Sequence, residues 1–264
     1  MKLVFIYHDR RDYFSGPIVN ARRLLPALAA RGHEVHCLLL FTGSAAGSAA
    51  FLKSKGIRCH LRRFHIPTEH QIAWILSTLK TIRPDVFVPN LNIAGCYAAR
   101  WIRQAGIPTV GVHRSDDDFY WALSDEFVSG SPEFALSGMV CVSQAIHDRI
   151  ARTQPMHTQL SVIPSGVPIP SFTSLQSGPL QLVYCGRLVQ SQKRIMELVE
   201  ALCSVARHHP HIEATLIGDG PERHAIASRI ADSGLGARIR LQGTVPSEHI
   251  QETLARHHVL ILLS

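Results

Sequence analysis

The sequence predicts a two-domain α/β protein built on parallel sheets, with the second domain incomplete. Three observations predict it. Short β-branched or apolar runs alternate with longer amphipathic stretches, the pattern of successive βαβ units. One stretch, VPIPSFTSLQSGP at 167–179, is rich in proline and serine and lacks periodicity, so it reads as a linker. Beyond it the alternation starts again. The expected boundaries are a first domain over 1–170, a linker over 171–179 and a second domain over 180–264.

In the first domain, strands are expected at 3–7, 34–40, 57–62, 86–88, 109–112, 139–142 and 160–163. Helices are expected near 17–30, 45–55, 68–82, 94–104 and 144–153, several of them closed by Gly32, Gly56, Pro84 or Gly106, where a helix stop belongs. In the second domain the order is strand 180–185, helix 194–208, strand 214–217, helix 222–233, strand 239–242, helix 247–257 and strand 259–263. The last of these, VLILL, is an apolar edge that complete sheets usually cover. A fragment or a natural short form are the two readings of that ending.

The chain has 264 residues, 46% hydrophobic and 18% charged, against about 25% charged in typical proteins, which excludes disordered, collagen-like and low-complexity classes. Its formal net charge is +7. The excess is uneven: residues 1–170 hold 18 basic and 12 acidic side chains, and 171–264 hold 9 and 8. Anionic partners are therefore expected at the first domain, whether phosphorylated small molecules or an anionic lipid surface. Nucleic acid is not expected, because the basic residues are dispersed and no zinc-finger spacing or RNA-binding signature accompanies them.

The six cysteines lack any C-x-x-C spacing and most sit in apolar runs, which suits reduced core residues. The opening MKLVFIYHDRR has too short an apolar run for a signal peptide, and no run approaches a membrane span. A cytoplasmic address is expected, with peripheral membrane contact open.

Open α/β sheets bind ligands beyond the carboxyl ends of their strands, so the residues after each strand carry most information. After the first strand, Gly16 opens a helix whose N-terminus favours an anion. After strand 180–185 comes GRLVQSQKR, where Arg187 and Lys193 bracket a turn into a helix. A guanidinium fork and a compact ammonium suit a diphosphate, although solvated surface cations are the plainer reading of the two alone. The next loop, IGDGPER, places Gly218 and Gly220 beside the same crevice and is expected to leave room there. Neither half carries the dinucleotide fingerprint, which disfavours a nicotinamide enzyme.

Together GPIVNARRLLPALAARGHEVHCL, VIPSGV, LVYCGRLVQSQKR, ATLIGDGPER, IRLQGTVP and the final VLILLS resemble retaining, nucleotide-sugar-dependent glycosyltransferases of family four. The resemblance spans nearly the whole chain in the expected order. It implies the GT-B fold, two Rossmann-like domains facing a cleft, the first receiving the acceptor and the second the donor. Gly16 would then lie beside the donor phosphates, Arg187 and Lys193 would neutralise the diphosphate, and His113, ending TVGVH, would contact the donor sugar. Charge growing on the leaving phosphate would be stabilised by the two cations, and the donor phosphate itself would take the acceptor proton. The implied partners are a nucleotide diphosphate sugar and a glycan or lipid-linked acceptor. Neither a metal nor another cofactor is implied.

The sequence departs from the family pattern at several points. Ser15 precedes Gly16 where a glycine pair is usual, Ser165-Gly166-Val167-Pro168 replaces N-G-V-D, and Arg194 stands where glycine often follows the lysine. The family's E-G-x-P segment would begin just after Ser264. Asp116, Asp117 and Asp118 satisfy the D-x-D pattern by which the GT-A fold holds a divalent metal, but here read as a solvated acidic loop or an acceptor contact. Arg22 and Arg23 on the first helix, with Arg58, His60 and Arg62 alternating along one strand, are candidates to meet a phosphorylated lipid or membrane surface. Two rival readings stand beside glycosyl transfer: a non-catalytic protein binding sugar nucleotide or acceptor, and a nucleotide-sugar epimerase of GT-B-like fold.

Overall fold

A computed structural model describes residues 1–10, 16–44, 46–90, 92–167, 169–171, 177–246 and 249–263. Ser15, Ala45, Pro168, residues 172–176 of the expected linker, and Ser247 at the expected start of the last helix lie outside them. The chain divides into two compact units, Met1–Gly166 and Val167–Ser264.

Unit 1 runs β1 (Lys2–Arg10), α1 (Gly16–Ala30), β2 (Glu34–Thr42), α2 (Ala49–Ser54), β3 (Arg58–Arg63), α3 (Thr68–Ile82), β4 (Val86–Val88), α4 (Ile93–Gln104), β5 (Val110–His113), α5 (Asp118–Phe127), β6 (Gly138–Cys141), α6 (Gln144–Ala151) and β7 (Gln159–Val162). Its strands are parallel, in the orders β3-β2-β1-β4 and β5-β6-β7. A parallel bridge, Phe87 to Thr109, and a 3.0 Å bond from the Phe87 amide to the Pro108 carbonyl join the two sets. The chain reverses its direction of growth between β1 and β4, and that switch point is where such sheets open a crevice.

Both faces of this sheet are buried, which explains why its strands read as unbroken apolar runs. Leu3, Phe5 and Tyr7 pack with Ile18, Ala21 and Leu25 of α1 on one face. Val4 and Ile6 pack with Ile75 and Leu79 of α3 and Ala98 of α4 on the other. Asp9, 1% exposed at the end of β1, accepts hydrogen bonds from the Ser48 amide at 2.8 Å and hydroxyl at 3.0 Å, so its charge is spent on the entry to α2.

Unit 2 runs β8 (Leu180–Cys185), α7 (Gln190–Lys193), α8 (Ile195–His208), β9 (Ile212–Ile217), α9 (Arg223–Asp232), β10 (Ile239–Gly243), α10 (Ile250–Ala255) and β11 (Val259–Leu260), with strand order β10-β9-β8-β11. Its pairs are parallel too. Helix α8 buries Ile195, Leu198, Val199, Leu202, Cys203 and Ala206, the three-and-four spacing of one apolar stripe, against Tyr184, Leu216 and Ile226.

Two helices escape the sequence pattern, α5 and the single turn α7. The six cysteines are free, four of them buried and two half-buried.

Candidate functional site

In unit 2 the loops after β8 and β9 are stacked backbone on backbone. A Cβ on Gly218, whose φ is +140°, would lie 1.8 Å from the Gly186 carbonyl oxygen, and one on Gly220 would lie 2.2 Å from that of Leu188. The loops are stitched by amides: Gly186 donates to Ile217 at 3.0 Å, Leu188 to Asp219 at 2.9 Å and Gly218 to Gly243 at 2.8 Å. The expectation that Gly218 and Gly220 leave open room is therefore corrected. The space that their missing side chains provide is filled by the neighbouring loop.

Arg187 lies within this floor, between Gly186 and Leu188, and Lys193 follows it at the end of α7. Buried Tyr184 donates its hydroxyl to the Arg187 carbonyl at 2.7 Å, fixing the backbone while the Arg187 side chain stands exposed against the Gln192 amide oxygen. Lys193, half-buried, closes α7 and forms no ion pair among the described residues. The turn between α7 and α8 is pinned by Gln190, whose carbonyl oxygen accepts from the Met196 amide at 3.0 Å and whose amide donates to Glu197 at 2.6 Å. Arg194 joins the two helices at φ 46°, ψ 43°. That left-handed conformation is the physical reason a glycine suits this position.

In unit 1, Gly16 is the exposed first residue of α1, and a Cβ there would meet nothing within 4 Å. His113 is 1% exposed. Its Nε2 donates to the Ser115 carbonyl at 2.9 Å, which fixes the neutral tautomer and leaves Nδ1 to accept from the Ser124 hydroxyl at 2.8 Å. Burial holds the imidazole below its ordinary range, against the Ser115 bond and the charges of Asp117 and Asp116. A cavity of about 20 Å³, room for one water, borders His113, Tyr120 and Ser124.

The acidic triplet is occupied locally. Asp117 caps α5 by accepting from the Tyr120 amide at 3.1 Å. Asp116 accepts from Trp121 Nε1 at 2.6 Å and from Arg149 at 3.1 Å, with the Arg149 guanidinium 3.6 Å above the Trp121 ring. Among the described residues no group of three His, Cys, Asp or Glu could hold a metal ion. The candidate surface cations are also partly committed. Arg58 pairs with Glu34 at 2.7 Å, His60 bonds His36 at 3.0 Å, and Arg22 lies 4.4 Å over the Phe51 ring.

The profile described as Glycosyltransferase Family 4 matches residues 15–169, and that described as Glycosyl transferases group 1 matches 179–264. The chain belongs to glycosyltransferase family 4. Solved structures of the GT-B fold match it over nearly all its length. The lipopolysaccharide outer core galactosyltransferase WaaB is 18% identical with a TM-score of 0.68, covering 100% of this chain and 74% of its own. Anabaena HepE, solved with UDP and glucose, is 17% identical at 0.69, covering 100% and 74%. The pneumococcal O-GlcNAc transferase GtfA, solved with UDP and GlcNAc, is 11% identical at 0.74, covering 100% and 79%. No curated protein matches the chain by sequence. The family-4 chain is thus a glycosyltransferase whose two units each carry a parallel α/β sheet of the GT-B type.

Sequence reasoning singled out Gly16, His113, Arg187 and Lys193. It missed Gly186, Leu188 and Tyr184, which build the floor under the cations, and Ser124, which holds His113. A glycine directly after a strand was the available signal for Gly186.

Proposed function

We propose that this glycosyltransferase moves a sugar, with retention, from a nucleotide diphosphate sugar to a hydroxyl of a glycan, glycolipid or small molecule, with unit 2 as the donor domain and unit 1 as the acceptor domain. The observation that carries the reading is the rigid backbone floor of Gly186, Gly218 and Gly220 with Arg187 and Lys193 standing beside it, uncommitted to any carboxylate. Fixed cations of this kind stabilise charge where it grows, on the departing diphosphate. UDP in HepE and GtfA supports a nucleotide diphosphate here.

Gly16 would offer the open N-terminus of α1 to donor phosphates. His113 would contact the donor sugar by exchanging the Ser115 carbonyl for a sugar hydroxyl at Nε2. The reaction is read as needing no metal and no further cofactor. A cytoplasmic location with peripheral membrane contact through Arg22 and Arg23 is part of the same reading. It is supported by the basic first half of the chain and by the finding that no described helix is long and apolar enough to cross a membrane.

Titration calorimetry with UDP tests the donor assignment. Each of Arg187→Ala and Lys193→Ala is expected to weaken binding about ten- to a hundredfold, the worth of a charge-assisted hydrogen bond. UDP affinity unchanged in both variants would remove the donor assignment. The anomeric configuration of a product, read by proton NMR, tests retention.

A further inference from the structure

We infer that Arg223 of unit 2 holds the nucleoside end of the donor, by donating to an oxygen of the base or of the ribose. The inference rests on the glycosyl-transfer reading above and adds a specificity-determining residue to it.

Arg223 opens α9, and its amide donates to the Gly220 carbonyl at 3.1 Å, which anchors it to the loop after β9. Its side chain crosses to the next strand. A Cβ on Gly243, the last residue of β10 at φ +85°, would lie 3.4 Å from Arg223 Nη1 and 3.8 Å from Nη2. The guanidinium therefore lies against the bare backbone of Gly243, whose carbonyl accepts from the Gly218 amide at 2.8 Å. One path of contacts thus runs along the carboxyl ends of β8, β9 and β10, from Gly186 through Gly218 to Gly243 and Arg223. The β9–β10 register shifts between Leu241 and Gly243, a bulge of the kind found beside active sites, where it re-aims a strand end.

Arg223 is half-buried, and its guanidinium has no ion pair or hydrogen bond among the described residues. Other arginines of unit 2 are committed, Arg229 to Glu200, Arg238 to the His209 carbonyl and Arg240 to Glu213. A guanidinium carries five donors and no acceptor, so an uncommitted one takes oxygen acceptors from a ligand. Position decides which oxygens. β8, β9 and β10 are successive neighbours in the sheet, and at about 4.8 Å per strand the end of β10 lies roughly 10 Å from that of β8. That span exceeds a diphosphate, whose two phosphorus atoms share one oxygen. A donor held at its phosphates by Arg187 and Lys193 after β8 therefore reaches Arg223 with its nucleoside. The other neighbour of β8 is β11, and Ile261, Leu262 and Leu263 beyond it carry no hydrogen-bonding side chain to meet a base or ribose.

Two oxygens answer to this description, a base carbonyl and a ribose hydroxyl, and uracil has carbonyls where adenine has none. The test is titration calorimetry on the full chain with UDP and ADP, with inorganic pyrophosphate as a competitor. Arg223→Ala is expected to bind UDP at least about tenfold more weakly, the worth of a hydrogen bond from a charged group. The substitution breaks no side-chain bond among the described residues, so the melting temperature should stay within about 2 °C of the wild type. A loss for UDP alone assigns a base carbonyl, and an equal loss for ADP assigns the ribose. Pyrophosphate should compete with one inhibition constant on both proteins. UDP affinity unchanged in Arg223→Ala overturns the inference, as does pyrophosphate weakened as much as UDP, which makes Arg223 a phosphate ligand instead. Arg187→Ala, run in parallel, separates the two readings. Binding weakened by Arg187→Ala but not by Arg223→Ala removes this inference alone, whereas a wild type that binds neither nucleotide removes the donor reading with it.

Discussion

Replacing Gly218 with alanine tests whether the glycine-stacked loops are what hold the end of unit 2 together. The new Cβ would sit 1.8 Å from the Gly186 carbonyl oxygen, where ordinary contact requires more than 3 Å, and the obstructing atom is backbone that cannot swing aside. The loops must part by over 1 Å. That breaks the Gly186–Ile217 and Leu188–Asp219 bonds, at 3.0 and 2.9 Å. Each is worth about 1 kcal/mol. The residue would also be forced to hold φ at +140°, at a further cost of roughly 1–2 kcal/mol. The total is about 3–4 kcal/mol, which for a unit of this size lowers its melting temperature by more than about 10 °C. Calorimetric scanning reads that shift, with Gly236→Ala as control, because a Cβ there meets nothing within 4 Å. If Gly218→Ala melts within about 2 °C of the wild type, the loops do not depend on this close approach and the argument is wrong.

Two further outcomes are expected. His113 is held neutral by burial, so its folded pKa lies below the unfolded value of about 6.5; the unfolded chain takes up the proton first, and stability falls as pH drops through that window, levelling off once the folded ring is protonated. His113→Asn should flatten that part of the pH dependence of thermal unfolding relative to wild type, and an unchanged slope would refute the assignment. Arg194→Gly should stabilise the protein by up to about 1 kcal/mol, the relief of a left-handed arginine less the extra freedom of glycine in the unfolded chain. A lower melting temperature would show that the exposed 3.5 Å contact with Glu197 matters more than the backbone.

The sequence carried most of the strand and helix order because both faces of the first sheet are buried, and its strands therefore announce themselves as apolar runs. It did not show α5, whose aromatic segment DFYWALSDEF gives a weak helical period and whose decisive signal is the Asp117 cap on Tyr120. Helix α7 was hidden because a single turn has no period to read. Arg187 and Lys193 were legible from their place after a strand. The Gly218 contact was not, since a glycine gives no sign of whether ligand or backbone will occupy the space it leaves.

The nine-residue pairing of β1 with β2 also bears on how the chain is made. β2 is complete at Thr42, but the other edge of β1 waits for β4, which ends at Val88. At 5–20 residues per second, a ribosome needs roughly 2–9 s to supply the missing strand. During that interval the first βαβ unit presents an unpaired apolar edge to the cell, so nascent-chain chaperones should engage it there, and slowed translation between these two points should lower the soluble yield.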